Sequence, residues 1–288
     1  MQEGLILCRF VHFGAVLLLV GAGLFRVLFA RSLCAFEASP KRGRLDRYLQ
    51  RLTAVALISA LCWLMLTAAS MADDWRAGFD LSTLGLVLGN TFYGHVWVAH
   101  LGLNLLALIL ASSKAASARG HLLIQGLLLL TLAPVGHGAM FDGLRGQLLI
   151  LNQMLHLIGV ATWLGGLLML AVLLKSPSLI DLRAVLLRFS GLGYAMVALI
   201  IMTGWVNVRA LSGGLWPEPA FSGFGAVLGV KVALVLCMLA LALLNRCLAR
   251  ARVLPVLALR SSVVLECLFG GAALAAVSLL GTLPPMSG

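Results

Sequence analysis

The chain has 288 residues, of which 61% are hydrophobic and 11% charged, and its mean hydropathy is +1.06. This composition excludes an ordinary soluble globular domain and predicts a protein that lies largely in lipid. The formal net charge of +11 is typical of a bilayer protein whose loops are anchored by Lys and Arg, so we expect no nucleic-acid partner. The six cysteines show no C-x-x-C spacing, which argues against a disulfide framework.

The apolar runs follow one another along the whole chain. The first, from Leu5 to Ala30, is too long for a signal peptide and follows no positive segment, so we interpret it as a retained helix. Since a span needs about 20 apolar residues, we predict an all-α polytopic membrane helix bundle, with residues 1–288 as a single integral-membrane domain. The predicted spans lie near 5–30, 52–72, 92–113, 121–138, 148–174, 185–208, 224–246 and 260–283. The fourth is short and ends in Pro134, Gly136 and Gly138, which predicts a distorted last turn.

Positive residues are distributed unequally between alternate connections. One set of loops contains sixteen Lys and Arg residues, and the other set contains three, which are Arg76, Arg145 and Arg209. Because positive loops are retained in the cytoplasm, we predict that 31–51 and 247–259 are cytoplasmic. Both termini and the connection 73–91 then face outward, which is the periplasm if the source is a Gram-negative bacterium, and we predict a location in the bacterial inner membrane.

Most of the histidines fall in the outer half of the predicted bundle. With 1.5 Å of rise per residue, His12, His100 and His156 lie roughly 10, 12 and 13 Å below the outer surface, so three helices contribute to one layer. His95 and His137 lie nearer the outer mouth, and His121 lies at the cytoplasmic end. A polar side chain within a span suggests a function by default. The alternative is that a histidine only forms a hydrogen bond across a helix interface.

Methionines occur in the same outer half as these histidines. Thioether and imidazole groups together suit Cu(I), whereas hard cations require a carboxylate cage that the spans lack. Methionine is also an ordinary filler of apolar cores, so each one separately stays an open candidate. The predicted copper site draws on His137, His156, His12, His100, Met140, Met154 and His95.

Other polar residues within the spans are candidates for supporting or gating this site. Asn152 lies four residues before His156, so its amide either orients the imidazole or bonds another helix. Lys231 lies close to the histidine layer, where it competes with a cation or pairs with an anionic ligand. Glu266 forms either an ion pair with Arg260 or a relay for protons or metal.

The order of these residues resembles the copper-resistance protein D (CopD/PcoD) family. The residues that carry the resemblance are Gly136-His137-Gly138, Asn152-x-x-x-His156, Trp163-Leu164-Gly165-Gly166, Arg188-Phe189-Ser190, Thr203-Gly204-Trp205-x-Asn207, Gly229-x-Lys231, Asn245-Arg246, Glu266 and Pro284-Pro285. They cover most of the second half, whereas the first half matches by topology and by Arg9-x-x-His12. The resemblance implies an eight-helix inner-membrane protein of copper uptake with periplasmic His and Met copper sites. It also implies a periplasmic CopC-type copper-binding partner, and it adds Asn207 to the supporting or gating candidates.

Two functions are compatible with this pattern. The chain has no Walker motif and no D-K-T-G, so we predict neither ATP-driven pumping nor another enzymatic activity. The first function is copper transport, in which His137 and Met140 receive Cu(I) from the periplasm and pass it to the histidine layer. The alternative is a membrane b-type cytochrome, in which two histidines ligate haem b and Lys231 pairs with a propionate.

Overall fold

The computed structural model describes residues 1–113, 117–136 and 141–283, and this part of the chain is helical without strands. Its α-helices are α1 Gln2–Leu28, α2 Cys34–Glu37, α3 Pro40–Ala72, α4 Leu81–Asn90, α5 Phe92–Ser112, α6 Ala118–Leu130, α7 Gly143–Leu173, α8 Leu182–Ser212, α9 Gly223–Ala249 and α10 Val256–Leu280. Short 3₁₀ helices at Ala30–Leu33, Trp75–Gly78 and Pro177–Leu179 connect some of them.

The long helices match the predicted spans in order. Among the described residues, seven helices are long and apolar enough to cross a membrane, namely α1, α3, α5, α7, α8, α9 and α10. The remaining run forms α6, whose 13 residues extend about 20 Å, less than a hydrocarbon core of about 30 Å. This helix ends at Leu130 and turns follow over 131–136, as the Pro and Gly residues predict. The polytopic all-α bundle is thus confirmed, and the orientation of the termini stays a prediction.

Two helical segments lie where the sequence analysis placed loops. The α3 helix begins at Pro40, because proline suits the first helical turn, and a bidentate contact from Arg26 of α1 to Glu37 holds this end in place. The α4 helix begins where the Asp80 carboxylate accepts hydrogen bonds from the residues that follow it. Hydrogen bonds from Ser82 and Thr83 hold the pKa of the exposed Asp80 carboxyl below its usual value.

Two helices cross at the centre of the bundle. The α1 helix contacts α3, α6, α7 and α10, and its closest approach is to α7 at Gly21 and Gly165. A Cβ at Gly21 would overlap the carbonyl oxygen of Ala161 and lie 2.7 Å from the Cα of Gly165. The apolar core divides around this crossing into two clusters, to both of which α1 and α7 contribute. One lies mainly among α1, α3, α5 and α6, and the other mainly among α7 to α10 and the end of α1. Each half contains a buried polar site.

Candidate functional site

Two histidines of the predicted layer contact each other inside the first half of the bundle. His12 of α1 and His100 of α5 are both 0% exposed, and their Nε2 atoms are 2.8 Å apart. The Nδ1 atom of His12 lies 3.0 Å from the carbonyl oxygen of Ala56. Because a carbonyl oxygen only accepts, this nitrogen carries the hydrogen of a neutral His12 ring. The lone pair of His12 is therefore on Nε2.

The Thr131 hydroxyl allows two hydrogen arrangements for His100. Its Oγ1 lies 2.7 Å from the Nδ1 of His100 and 2.7 Å from the carbonyl oxygen of Leu128, and its single hydrogen is donated to one of them. When it is donated to Nδ1, His100 donates its own Nε2 hydrogen to His12 at 2.8 Å. When it is donated to Leu128, Nδ1 donates to Thr131 and two Nε2 lone pairs face each other, an arrangement that a proton or another cation between them stabilises.

Aromatic rings enclose this histidine pair. Trp97 stacks on His100 with ring centres 4.5 Å apart, and Trp63 meets His12 edge-on at 5.7 Å. Aromatic faces attract a nearby cation without supplying a full negative charge. Arg9, one turn before His12, lies over Trp63 at 5.2 Å and donates to the carbonyl oxygen of Gly281 at the end of α10. The pair therefore has two nitrogen ligands and an aromatic wall.

Met154 belongs to the side of α7 that faces this half of the bundle. It packs against the core cluster that contains Trp63 and Trp97, and it lines a groove together with Thr131. His156 follows it by two residues and therefore projects from another face of the helix. Helical rotation therefore places Met154 near Thr131, the hydrogen-bond partner of His100, and not on the face of His156.

His156 forms a separate polar site with α8. Its Nδ1 atom lies 2.9 Å from the Oγ1 of Thr203, whose hydroxyl donates to the carbonyl oxygen of Leu199 at 2.6 Å. When this hydroxyl donates to Leu199, the His156 ring donates from Nδ1 and has its lone pair on Nε2. In the described ranges no three His, Cys, Asp or Glu side chains form a group that could hold a metal ion. The predicted layer thus consists of one contacting pair and one separate histidine.

The two asparagines link helices and do not orient His156. Asn152 donates to the carbonyl oxygen of Thr203 at 2.9 Å and to the Oδ1 of Asn207 at 2.8 Å. Asn207 in turn donates to the Oε1 of Gln153 at 2.9 Å. The interhelical alternative for Asn152 is therefore the observed one, and Thr203 supplies the hydrogen bond that fixes the His156 ring. Lys231 of α9 is half-buried within electrostatic range of His156.

Glu266 is 1% exposed and is held by two neutral donors. Its Oε1 accepts from the indole N–H of Trp163 at 2.9 Å, and its Oε2 accepts from the amide of Asn245 at 3.0 Å. The ion pair with Arg260, one of the two alternatives for Glu266, is absent from the salt bridges of the described residues. The reason is that Glu266 points into the bundle, toward α7 and α9.

The remaining predicted residues are outside these sites or outside the described residues. His95 is exposed, and its Nε2 lies 2.8 Å from the carbonyl oxygen of Gly89. His121 contacts the carbonyl oxygens of Ser117 and Leu110. His137 and Met140 lie outside the described residues, so their part in the copper site stays a prediction. The sequence analysis missed Thr131, Trp63 and Trp97 as supports of the pair, since their only signal is polar or aromatic character within apolar runs.

Two family models match the chain over most of its length. The model described as "Copper resistance protein D-like, N-terminal domain" matches residues 1–147, and that described as "Copper resistance protein D" matches residues 183–280. The first contains both members of the His12–His100 pair. The second contains Thr203, Lys231 and Glu266.

Two curated proteins are similar to the chain. "Inner membrane protein YebZ" of Escherichia coli (strain K12) is 28% identical over 246 residues, covering 83% of this chain and 81% of that protein. "Copper resistance protein D" of Pseudomonas syringae pv. tomato is 28% identical over 253 residues, covering 83% of this chain and 79% of that protein. No solved structure matches the chain.

Proposed function

This chain belongs to the copper resistance protein D family, and we propose that it transports copper across the bacterial inner membrane through a Cu(I) site at His12 and His100. The observation that carries the proposal is the contact at 2.8 Å between the Nε2 atoms of two fully buried imidazole rings from different helices. Imidazole is a good ligand for copper, and within the described ranges no carboxylate joins the pair to favour a hard cation. The names of the two relatives agree with an inner-membrane protein of copper resistance.

Binding of Cu(I) requires only a small movement of the two rings. Two metal–nitrogen bonds of about 2 Å, the length known for imidazole on zinc, need a separation of about 4 Å, roughly 1 Å more than the present contact. The hydrogen bonds of both Nδ1 atoms keep the lone pairs directed at each other during that movement. The groove beside Thr131 is proposed as the approach of Cu(I) to the pair, with the thioether of Met154 as a soft ligand in its lining. His137 and Met140 are proposed as the outer entry, with a CopC-type protein as the periplasmic donor.

The haem alternative is less well supported at this pair. The ring centres of His12 and His100 are 4.9 Å apart at an interplanar angle of 65°, whereas a haem between two axial imidazoles requires a gap that contains the macrocycle. We therefore propose copper as cargo and transport, not catalysis, as the activity. His156 is proposed as a second, separate binding position for copper after the pair, since Thr203 bonds its Nδ1 and not its Nε2.

The test is copper binding by purified protein under reducing conditions. Wild type should bind Cu(I), and His12→Gln and His100→Gln should each lower the affinity by more than about 100-fold, since even the loss of an outer hydrogen bond typically costs 10–100-fold. His95→Gln is the matched control, because His95 is exposed on the same helix as His100. Equal copper binding by all four proteins would overturn the assignment, and a Soret band in wild type would favour haem.

A further inference from the structure

Four helices of the second half enclose a small pocket that the proposed copper site does not use. The pocket has a volume of about 40 Å³ and lies between α7, α8, α9 and α10. Its polar lining consists of Ser190, Tyr194, Asn245, Arg246 and Glu266. Arg246 is in the last turn of α9, at the end of the bundle that carries the arginine-rich connection 247–259. One buried water needs about 10–15 Å³ by this measure, so the pocket accommodates about three.

The Glu266 carboxyl group is the deepest charge at this pocket. It is 1% exposed, and the two groups that donate to it are the neutral indole of Trp163 and the neutral amide of Asn245. The guanidinium of Arg246 bonds instead to the Oγ of Ser190 at 3.2 Å and lies over the ring of Tyr194. A buried carboxylate without a cation partner in an apolar span is expensive. Protonation of the carboxylate neutralises that charge, and it needs no room for a second side chain or ion.

A second observation points to water beside the same carboxyl group. The Oδ1 atom of Asn245 is buried and has no hydrogen-bond partner, although the amide nitrogen of the same side chain binds Glu266. Buried waters need two to four polar partners, and Ser190 of α8 with Asn245 and Arg246 of α9 supplies them in the lining of the pocket. The pocket therefore fits a short chain of waters between Glu266 and the Arg246 end.

We propose that Glu266 is a proton-binding site that exchanges protons with the arginine-rich end of the bundle through this pocket. A hydronium ion in the pocket gives its proton to a carboxylate oxygen of Glu266, so that one O–H bond forms, one breaks and a neutral water remains. The charged or titratable groups that face Glu266 are Arg246 of α9, Tyr194 of α8 and the neighbouring Cys267, and the α7 lining residues carry none. This site is separate from the copper pair, which α1 and α5 form.

Infrared difference spectroscopy of copper-free protein in nanodiscs tests the proton site directly. A change of pH should produce a carboxylic acid C=O band in wild type that Glu266→Gln lacks. This variant keeps an acceptor for Trp163, and Asn245 can turn its amide to present Oδ1 to the new amide group. Asp80→Asn, which removes an exposed carboxylate, is the control and should retain the band. A spectrum that is identical in wild type and Glu266→Gln would overturn the proposal.

Two glycines of α8 test the route without altering Glu266. Gly193 lines the pocket, and a Cβ built on it meets open space, as does one built on Gly191, which does not line the pocket. Gly193→Leu should fill the pocket and slow hydrogen–deuterium exchange of the Glu266 carboxyl group by about tenfold or more, because it excludes the waters. Gly191→Leu should leave the exchange rate unchanged. Equal rates in the two variants would contradict the route, whatever the copper affinity.

Discussion

Replacement of Thr131 by Val tests the copper site without removing a ligand. When Cu(I) occupies the Nε2 of His100, the Nδ1 carries the hydrogen, and the Thr131 hydroxyl, 2.7 Å away, is its acceptor. Without this acceptor, a buried N–H is left unpaired at a cost of about 1–3 kcal/mol. The His100 ring avoids that cost by moving its hydrogen to Nε2, where His12 accepts it. Copper must then displace this hydrogen and restore the unpaired Nδ1–H.

The expected loss of Cu(I) affinity in Thr131→Val is therefore about 10- to 100-fold, or about 1.4 to 2.7 kcal/mol. It is measured by competition with a chromophoric Cu(I) chelator under anaerobic, reducing conditions. Thr203→Val is the matched control, because it removes the same kind of hydrogen bond from His156. Unchanged affinity in Thr131→Val, or a loss confined to Thr203→Val, would refute the reasoning from the His12–His100 pair.

Three further predictions follow from the fold and the charges. Gly21→Ala should lower stability in detergent by about 1–3 kcal/mol through overpacking against α7, whereas Gly102→Ala, which meets open space, should not; equal melting temperatures would contradict the close crossing. Lys231→Met should keep or increase copper occupancy, because it removes a positive charge near His156; haem lost only in this variant would support the cytochrome instead. Single cysteines in 31–51 should be labelled from the cytoplasm and those in 73–91 from the periplasm, and the reverse pattern would invert the orientation.

The sequence by itself determined that most of the chain lies in lipid, and it determined the order of the helices. Hydropathy acts on each segment regardless of its neighbours, so the long apolar runs could be located without a structure. The break after Leu130 was also readable, because Pro134 and Gly136 act locally. The additional α4 helix was not, since it is a short apolar segment that begins with the Asp80 cap inside a connection.

The site was only partly predictable. Depth along each helix put His12, His100 and His156 in one layer, but depth says nothing about the rotation of a helix or about its neighbours. The crossing of α1 and α7 at Gly21 and Gly165 separates the two halves of the bundle.

Which polar groups meet is therefore a property of the tertiary structure. His12 and His100 come into contact because α1 packs beside α3, which supplies Ala56, and α3 in turn packs against α5, which carries His100. The pairing of Glu266 with Trp163 and Asn245 instead of Arg260 likewise depends on contacts of α10 with α7 and α9. Lipid selects apolar side chains one residue at a time, whereas a hydrogen bond between helices requires that packing bring two particular atoms together.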